Sequence, residues 1–273
     1  MAVTMKAPAN LKELLRYCAK DLWMGKAYEK TAYRNVEGFI DVVGNLKLAE
    51  VTTLSIDAWL REVRGTIKDS TVNRKLVNIF QVLKFAHDRD WIERMPKIKF
   101  YDEPEGRIRW IEPEEERQMM ALLEAWGEFE FARFVTVLIE TGMRRGELVN
   151  LKPKDVRGDE VHLWAPDTKT GKSRVVPLTD TAIEALKGAL PFTLNKNKID
   201  QLWKRLRTAM GMEDDADFVL HILRHTAATR LLADSGNIMA VKEFLGHENI
   251  ETTKRYAHLS TADLKRIVRR ETR

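Results

Sequence analysis

The sequence has one cysteine, Cys18, in 273 residues. A lone thiol closes no intrachain disulfide and builds no multi-cysteine metal site, so no metal is expected and a reducing cytoplasm is the compartment that suits the chain. No stretch reads as a secretory leader or a membrane span, which excludes bilayer functions and a membrane partner. Internal repeats and low-complexity tracts are missing too, which excludes solenoids and linker-like chains. A large excess of one charge is also lacking: 46 Lys plus Arg face 41 Asp plus Glu, a net of +5 with a sequence pI near 9.2. The distribution is more telling than the sum. Residues 1–100 carry 18 basic and 12 acidic side chains, whereas the other 173 carry 28 and 29, so the first part leans towards polyanions. Residues 254–273, with seven basic and two acidic side chains, form a second basic element.

What the chain does contain is helical periodicity, enough for two cores. Helices are expected near 9–24, 27–43, 55–64 and 69–89, with stripes such as Leu11, Leu14, Leu15, Cys18 and Leu22, or Val72, Leu76, Ile79, Leu83 and Ala86. From Met95 to Pro113 the periodicity gives way to Pro96, Pro104, Gly106 and mixed charge, an extended linker with the domain boundary near residue 105. Beyond it, helices at about 113–126 and 128–141 precede a Thr141-Gly142 break and a short helix through Leu151. VHLWA (161–165) and SRVVPL (173–178) flank DTKTGK and predict a β-hairpin with two lysines at its tip. Further helices are expected near 180–188, 196–210, 218–234, 238–245, 250–257 and 261–269.

The chemistry-bearing residues lie in the second part. HILRHTAATR places His221, Arg224 and His225 on one helix face at i, i+3 and i+4. TGMRRGEL puts Arg144 after a Gly-containing turn, with Glu147 one helical turn later as an orienting partner. LGHENIETTKRYAHL supplies His247 and, nine residues on, Tyr256. Attack on a phosphodiester needs planar cationic donors around the non-bridging oxygens, a role that suits Arg better than Lys. A phenol with a pKa near 10 needs nearby cations or a base before it attacks. The leaving 5′ oxygen needs a proton, and Lys169 on the hairpin tip is placed to supply one.

TGMRRGEL, TKTGKSRVVPL, HILRH and LGHENIETTKRYAHL resemble the signature segments of the tyrosine recombinase, or phage integrase, family, in the same order. That resemblance implies a mainly α fold with a small β-hairpin or sheet. An N-terminal four-helix, SAM-like core-binding domain (1–104) would precede an α+β tyrosine recombinase catalytic domain (105–273). It implies Arg144 and Arg224 as phosphate clamps, Lys169 as general acid, His221 and His247 as accessory acid-base and hydrogen-bonding groups, Tyr256 as nucleophile, and Glu147 as support for Arg144. Partners would be double-stranded DNA with paired recognition sites, a homotetramer assembled on it, and optionally a directionality factor or DNA-bending protein. The intermediate would be a 3′-phosphotyrosine, with no cofactor. In one respect the chain departs from many phage members: the residues before the first helix are too few for an arm-binding domain, which leaves dependence on distant arm sites open.

Several side chains admit a plainer reading. Arg145 adjoins Arg144 but sits one place beyond the motif arginine; His225 is either catalytic by proximity or, the preferred reading, a structural histidine hydrogen-bonded within the helix layer, and His258 reads as structural too. Lys172 is at best a phosphate contact. Lys26, Lys30 and Arg34 recur every four residues and line one helical face, and Thr71, Arg74, Lys75 and Asn78 do the same on the fourth helix. Either set is a solvated face or a DNA-contacting one, and the family likeness favours DNA. Leu264, Ile267 and Val268 give the last helix a small apolar face, for its own domain or a neighbouring protomer. The leading expectation is a mobile-element integrase. A chromosome-dimer resolvase, a catalytically inactive DNA-binding regulator and a type IB topoisomerase remain as rivals.

Overall fold

The computed structural model describes residues 6–103, 108–165 and 172–257. The chain divides into two compact units between residues 104 and 105. Among the described residues no helix is long and apolar enough to cross a membrane.

The first unit is built on α1 (Leu11–Trp23), α2 (Glu29–Val43), α3 (Thr53–Val63) and α4 (Asp69–His87). Asn10 starts α1 by accepting the Glu13 N–H at 3.0 Å, and the expected stripe of Leu11, Leu14, Leu15 and Cys18 is buried. Burial pushes the Cys18 thiol up to about 12, so it serves as a small apolar side chain. The α4 stripe from Val72 to Ala86 packs against α1 and α2. Two expectations change here. Helix α2 begins at Glu29, so Lys26 lies in the preceding turn, its Nζ donating to the Leu22 carbonyl at 2.7 Å, and the face retains only Lys30 and Arg34. Asn78, expected to face DNA, is buried and accepts from Asn35 at 2.9 Å.

The segment expected to be a linker is partly held. Met95, Ile98 and Tyr101 pack on the first core, next to buried Ile92, which precedes the segment. Buried Asn73 clasps the backbone of Tyr101, donating to its carbonyl and accepting its N–H, both at 2.9 Å.

The second unit packs helices around a small sheet. Helix α5 (Pro113–Ala125) and α6 (Phe129–Thr141) precede the short α7 (Arg145–Val149). Strands β1 (Val156–Arg157), β2 (Glu160–Leu163) and β3 (Arg174–Pro177) form an antiparallel sheet in that order, with Val161 opposite Val176 and Leu163 opposite Arg174. Then follow α8 (Asp180–Leu186), α9 (Lys196–Ala209), α10 (Ile222–Ser235), α11 (Ile238–Leu245) and α12 (Glu251–Lys254). Phe131, Phe134 and Leu138 of α6, with Leu202 and Leu206 of α9, anchor the core; each such side chain contributes about 1.5–3 kcal/mol by burial. Helix α10 starts four residues later than its periodicity suggests. The Asp215 carboxylate accepts the N–H groups of Asp217 and Phe218 at 3.0 and 3.2 Å, turning the chain before the helix. Arg109 ties that carboxylate to Glu115 of α5. His221 therefore stands at the mouth of α10.

Candidate active site

Two glycines shape the site. Helix α6 ends where Gly142 turns left-handed, φ 57°, and a Cβ there would come within 2.8 Å of Leu245 and 3.2 Å of Ala227. The missing side chain lets α10 and α11 close on the end of α6. The Gly142 carbonyl accepts from Nη1 of Arg224, while Nη2 donates to the Leu245 carbonyl at 2.6 Å. Two helix C-termini thus hold one guanidinium that is 3% exposed. Burial, then the nearby charge of Arg144, lowers Arg224 to about 9, so it remains cationic at neutral pH.

Arg144 precedes α7. Its backbone N–H donates to Oε2 of Glu147 at 2.8 Å and its Nη1 to Oε1 at 3.0 Å. Arg174 reaches the same carboxylate from β3 with both Nη atoms, at 2.9 and 2.7 Å. Burial acts to raise Glu147, but the Arg174 fork and charge, with Arg144, hold it at about 2. The second glycine, Gly246, ends α11 at φ 64°, and a Cβ on it would lie 2.7 Å from Cδ and 2.9 Å from Nε of Arg174. Its carbonyl lies 3.5 Å from Nη2 of Arg144.

His247 follows directly. Its Nδ1 lies 2.9 Å from Oγ1 of Thr253, a fully buried residue on α12, so one ring edge is fixed by the helix that leads to Tyr256. Burial, then Arg224 and Arg144, lowers His247 to about 4. Tyr256 sits just past α12 on the small core of Ala228, Val241 and Leu245. Its hydroxyl lies 2.7 Å from Nδ1 of His225. Burial raises the phenol, opposed by Arg224 and Arg255, so the nucleophile candidate is protonated at neutral pH.

Arg144, His221 and Arg224 line one cavity of about 590 Å³, with Asp200 and Trp203 on its wall. His247 and Tyr256 approach from the α11–α12 side, tied to that group through Gly246 and His225. Lys169 lies outside the described residues, as do His258 and the helix expected at 261–269. Lys172 is exposed, 3.5 Å from Glu248. Arg145 pairs with Asp200 at 2.6 Å, away from Glu147. Lys30, Arg34, Thr71, Arg74 and Lys75 belong to the first unit. Among the described residues no group of His, Cys, Asp and Glu could hold a metal ion.

Sequence reasoning passed over Arg174 and set His225 aside as structural. Arg174 stands two places before buried Val176, hence on the inward face of β3, and an inward arginine in a strand signals a buried carboxylate. His225, expected to make a structural hydrogen bond, makes it to Tyr256.

The model of the phage integrase family matches residues 109–263. The chain belongs to the phage integrase family. Its similarity to tyrosine recombinase XerA of Saccharolobus solfataricus is 26% identity over 242 residues, 84% of this chain and 81% of that protein. The integrase of Haemophilus phage HP1 is 27% identical over 210 residues, 74% of this chain and 60% of that one. The Tn1549 transposon integrase, solved in complex with a circular intermediate DNA, superposes with a TM-score of 0.81 at 17% identity, covering 97% of this chain and 100% of that one. A lambda integrase dimer bound to a COC′ core site gives 0.73 at 16% identity, covering 89% and 97%. The fold is that of the tyrosine recombinases, mainly α with a small sheet, and this family member is a tyrosine-type site-specific DNA recombinase.

Proposed function

We propose that this recombinase breaks duplex DNA with Tyr256 as nucleophile, holds the strand as a 3′-phosphotyrosine, and rejoins it to a second site. The observation that carries the reading is the anchoring of Arg144 and Arg224 around Gly142 and Gly246, one short loop from His247 and Tyr256. Two immobile guanidinium groups supply fixed cationic donors to the charge that builds on a pentacoordinate phosphate, and need no reorganisation as it forms. Glu147 holds Arg144 in place. His247 presents its other ring edge to a non-bridging oxygen, and His221 lines the cavity as an accessory acid-base group. Lys169 protonates the leaving 5′ oxygen. The phosphodiester energy stays in the tyrosyl linkage, so rejoining needs no ATP.

Exchange between paired sites in a homotetramer on DNA, with a directionality factor or bending protein where the sites require one, completes the proposal. Solved relatives bound to DNA support DNA as the partner. The similar proteins include phage integrases, which favour a mobile-element role, and tyrosine recombinase XerA, beside which dimer resolution stays as the second reading.

Covalent trapping tests the nucleophile. The full chain and Tyr256→Phe are incubated with a nicked duplex chosen, by binding, from a random-sequence pool. An SDS-resistant adduct from the unaltered protein alone is expected; adducts from both would move the nucleophile elsewhere. No adduct from either, on DNA that both bind, would make the protein a binding regulator. Relaxation of supercoiled plasmids lacking that sequence would instead indicate a topoisomerase.

A further inference from the structure

We infer that His225 is the group that takes the Tyr256 proton as the phenol attacks. The inference rests on the proposed role of Tyr256.

The Tyr256 hydroxyl meets Nδ1 of His225 at 2.7 Å, within the range of a well-formed hydrogen bond. Phenol is the stronger donor of the two and neutral imidazole the stronger acceptor, so the matched arrangement is O–H donating to Nδ1, with the ring proton on Nε2. The surroundings keep that ring neutral. Burial lowers His225 to about 4, reinforced by His221 and Arg224 on its own helix, Arg255 after α12, and His247 between α11 and α12. The ring is also wedged: its centroid is 4.8 Å from that of His221, edge to face, and 5.7 Å from the Tyr256 ring. A basic nitrogen is therefore fixed against the reacting oxygen before any substrate arrives.

The same cations explain why the pair is inert without DNA. They oppose a second positive charge on His225, so the proton stays on the phenol. A phosphodiester anion in the cavity offsets that repulsion and raises the basicity of His225 when it is needed. The bond from Tyr256 Oη to phosphorus then forms, the bond from phosphorus to the 5′ oxygen breaks, and the phenol proton passes to Nδ1. The leaving 5′ oxygen takes its proton from a separate acid. In rejoining, the incoming 5′ hydroxyl attacks, its proton goes to that acid's conjugate base, and His225 returns its proton to the departing phenolate.

Single-turnover cleavage of the nicked duplex separates the possibilities, with the unaltered protein, Tyr256→Phe, His225→Ala and His225→Asn compared on DNA that each binds with normal affinity. Asn places an amide oxygen near the Nδ1 position and accepts the hydrogen bond, but cannot carry the proton. The expected result is a loss of about 10²- to 10⁴-fold in both His225 variants. A 5′-bridging phosphorothiolate, whose sulfur leaves without protonation, should not restore them. Near-normal cleavage by His225→Asn would reduce His225 to a positioning residue and overturn the proposal. Rescue by the phosphorothiolate would overturn it too, by making His225 the acid. Loss of the adduct in Tyr256→Phe beside normal rates in both His225 variants would sink this inference alone, whereas an adduct from Tyr256→Phe would sink the nucleophile as well. If His225→Ala fails to fold, His225→Asn decides the matter against its own thermal melt.

Discussion

Glu147 carries no reacting atom, yet it organises two arginines from separate elements on one carboxylate that is 4% exposed. Removing its charge leaves the buried Arg174 guanidinium without its counter-charge and with one of its two bonds facing an amide donor, a situation that costs about 3–5 kcal/mol. Glu147→Gln is therefore expected to lower stability by about that much in urea titration, and to lose cleavage even at temperatures where it stays folded. The acid side follows with its sign. Glu147 is held at about 2, below its usual range, so its contribution is complete above about 4.5 and is lost as pH falls towards 2. His225 and His247 act at higher pH. Each titrates near 4 when folded and near 6.5 when unfolded. The unfolded chain binds the extra protons between those values, so stability declines as pH drops from about 6.5 to 4. Thermal melts across that window should show the decline, and His225→Asn, which cannot titrate, should make it shallower, leaving the His247 share. A slope unchanged in that variant would mean that His225 is not held neutral in the fold.

At the level of elements, the left-handed C-caps decide how close the helices come. A Cβ at Gly246 collides with Arg174 along its stem, and the tip of that arginine is already locked in its two bonds to Glu147. Gly246→Ala adds left-handed strain of about 1–2 kcal/mol and moves Arg174, so cleavage should fall much further than stability. Equal losses in calorimetry and in the trapping assay would mean that the Arg174–Glu147–Arg144 chain does not govern the chemistry. This is also the scale at which the sequence is most and least informative. The stripes of α1, α4 and α6 were legible because burial imposes the helical period on them. The site motifs were legible because each is short and local, as with Arg144 and Glu147 three residues apart. Contacts across 27 and 31 residues, Arg174 with Glu147 and His225 with Tyr256, leave no period to read. Helix starts were the other weak point. The turn around Lys26 and the Asp215 carboxylate set where α2 and α10 begin, and hydrophobic spacing does not register either. Strand β1, at two residues, is too short to alternate.

Across the whole molecule the two units differ in charge: residues 1–100 hold the basic excess, while the remainder is nearly balanced. The second unit also neutralises much of its own charge close to the site, through Arg144 and Arg174 on Glu147 and Arg145 on Asp200. Affinity for a polyanion is then expected to come largely from the first unit, and bond breaking from the second. Lys30, Arg34 and Arg74 are exposed on α2 and α4, two helices that pack together, whereas Lys26 is spent on a carbonyl in the turn before α2. Each phosphate contact made releases counterions and steepens the dependence of log K on log salt by about 0.9. Lys30→Ala, Arg34→Ala and Arg74→Ala should each reduce the measured slope by close to one contact, and Lys26→Ala should leave it nearly unchanged. Single-turnover cleavage at saturating DNA should stay near normal in all four, because these side chains belong to the first unit and the residues around Gly246 to the second. A variant that kept its salt slope but lost cleavage at saturation would show that the first unit shapes the reacting geometry as well as the affinity, and the division of labour between the units would fall.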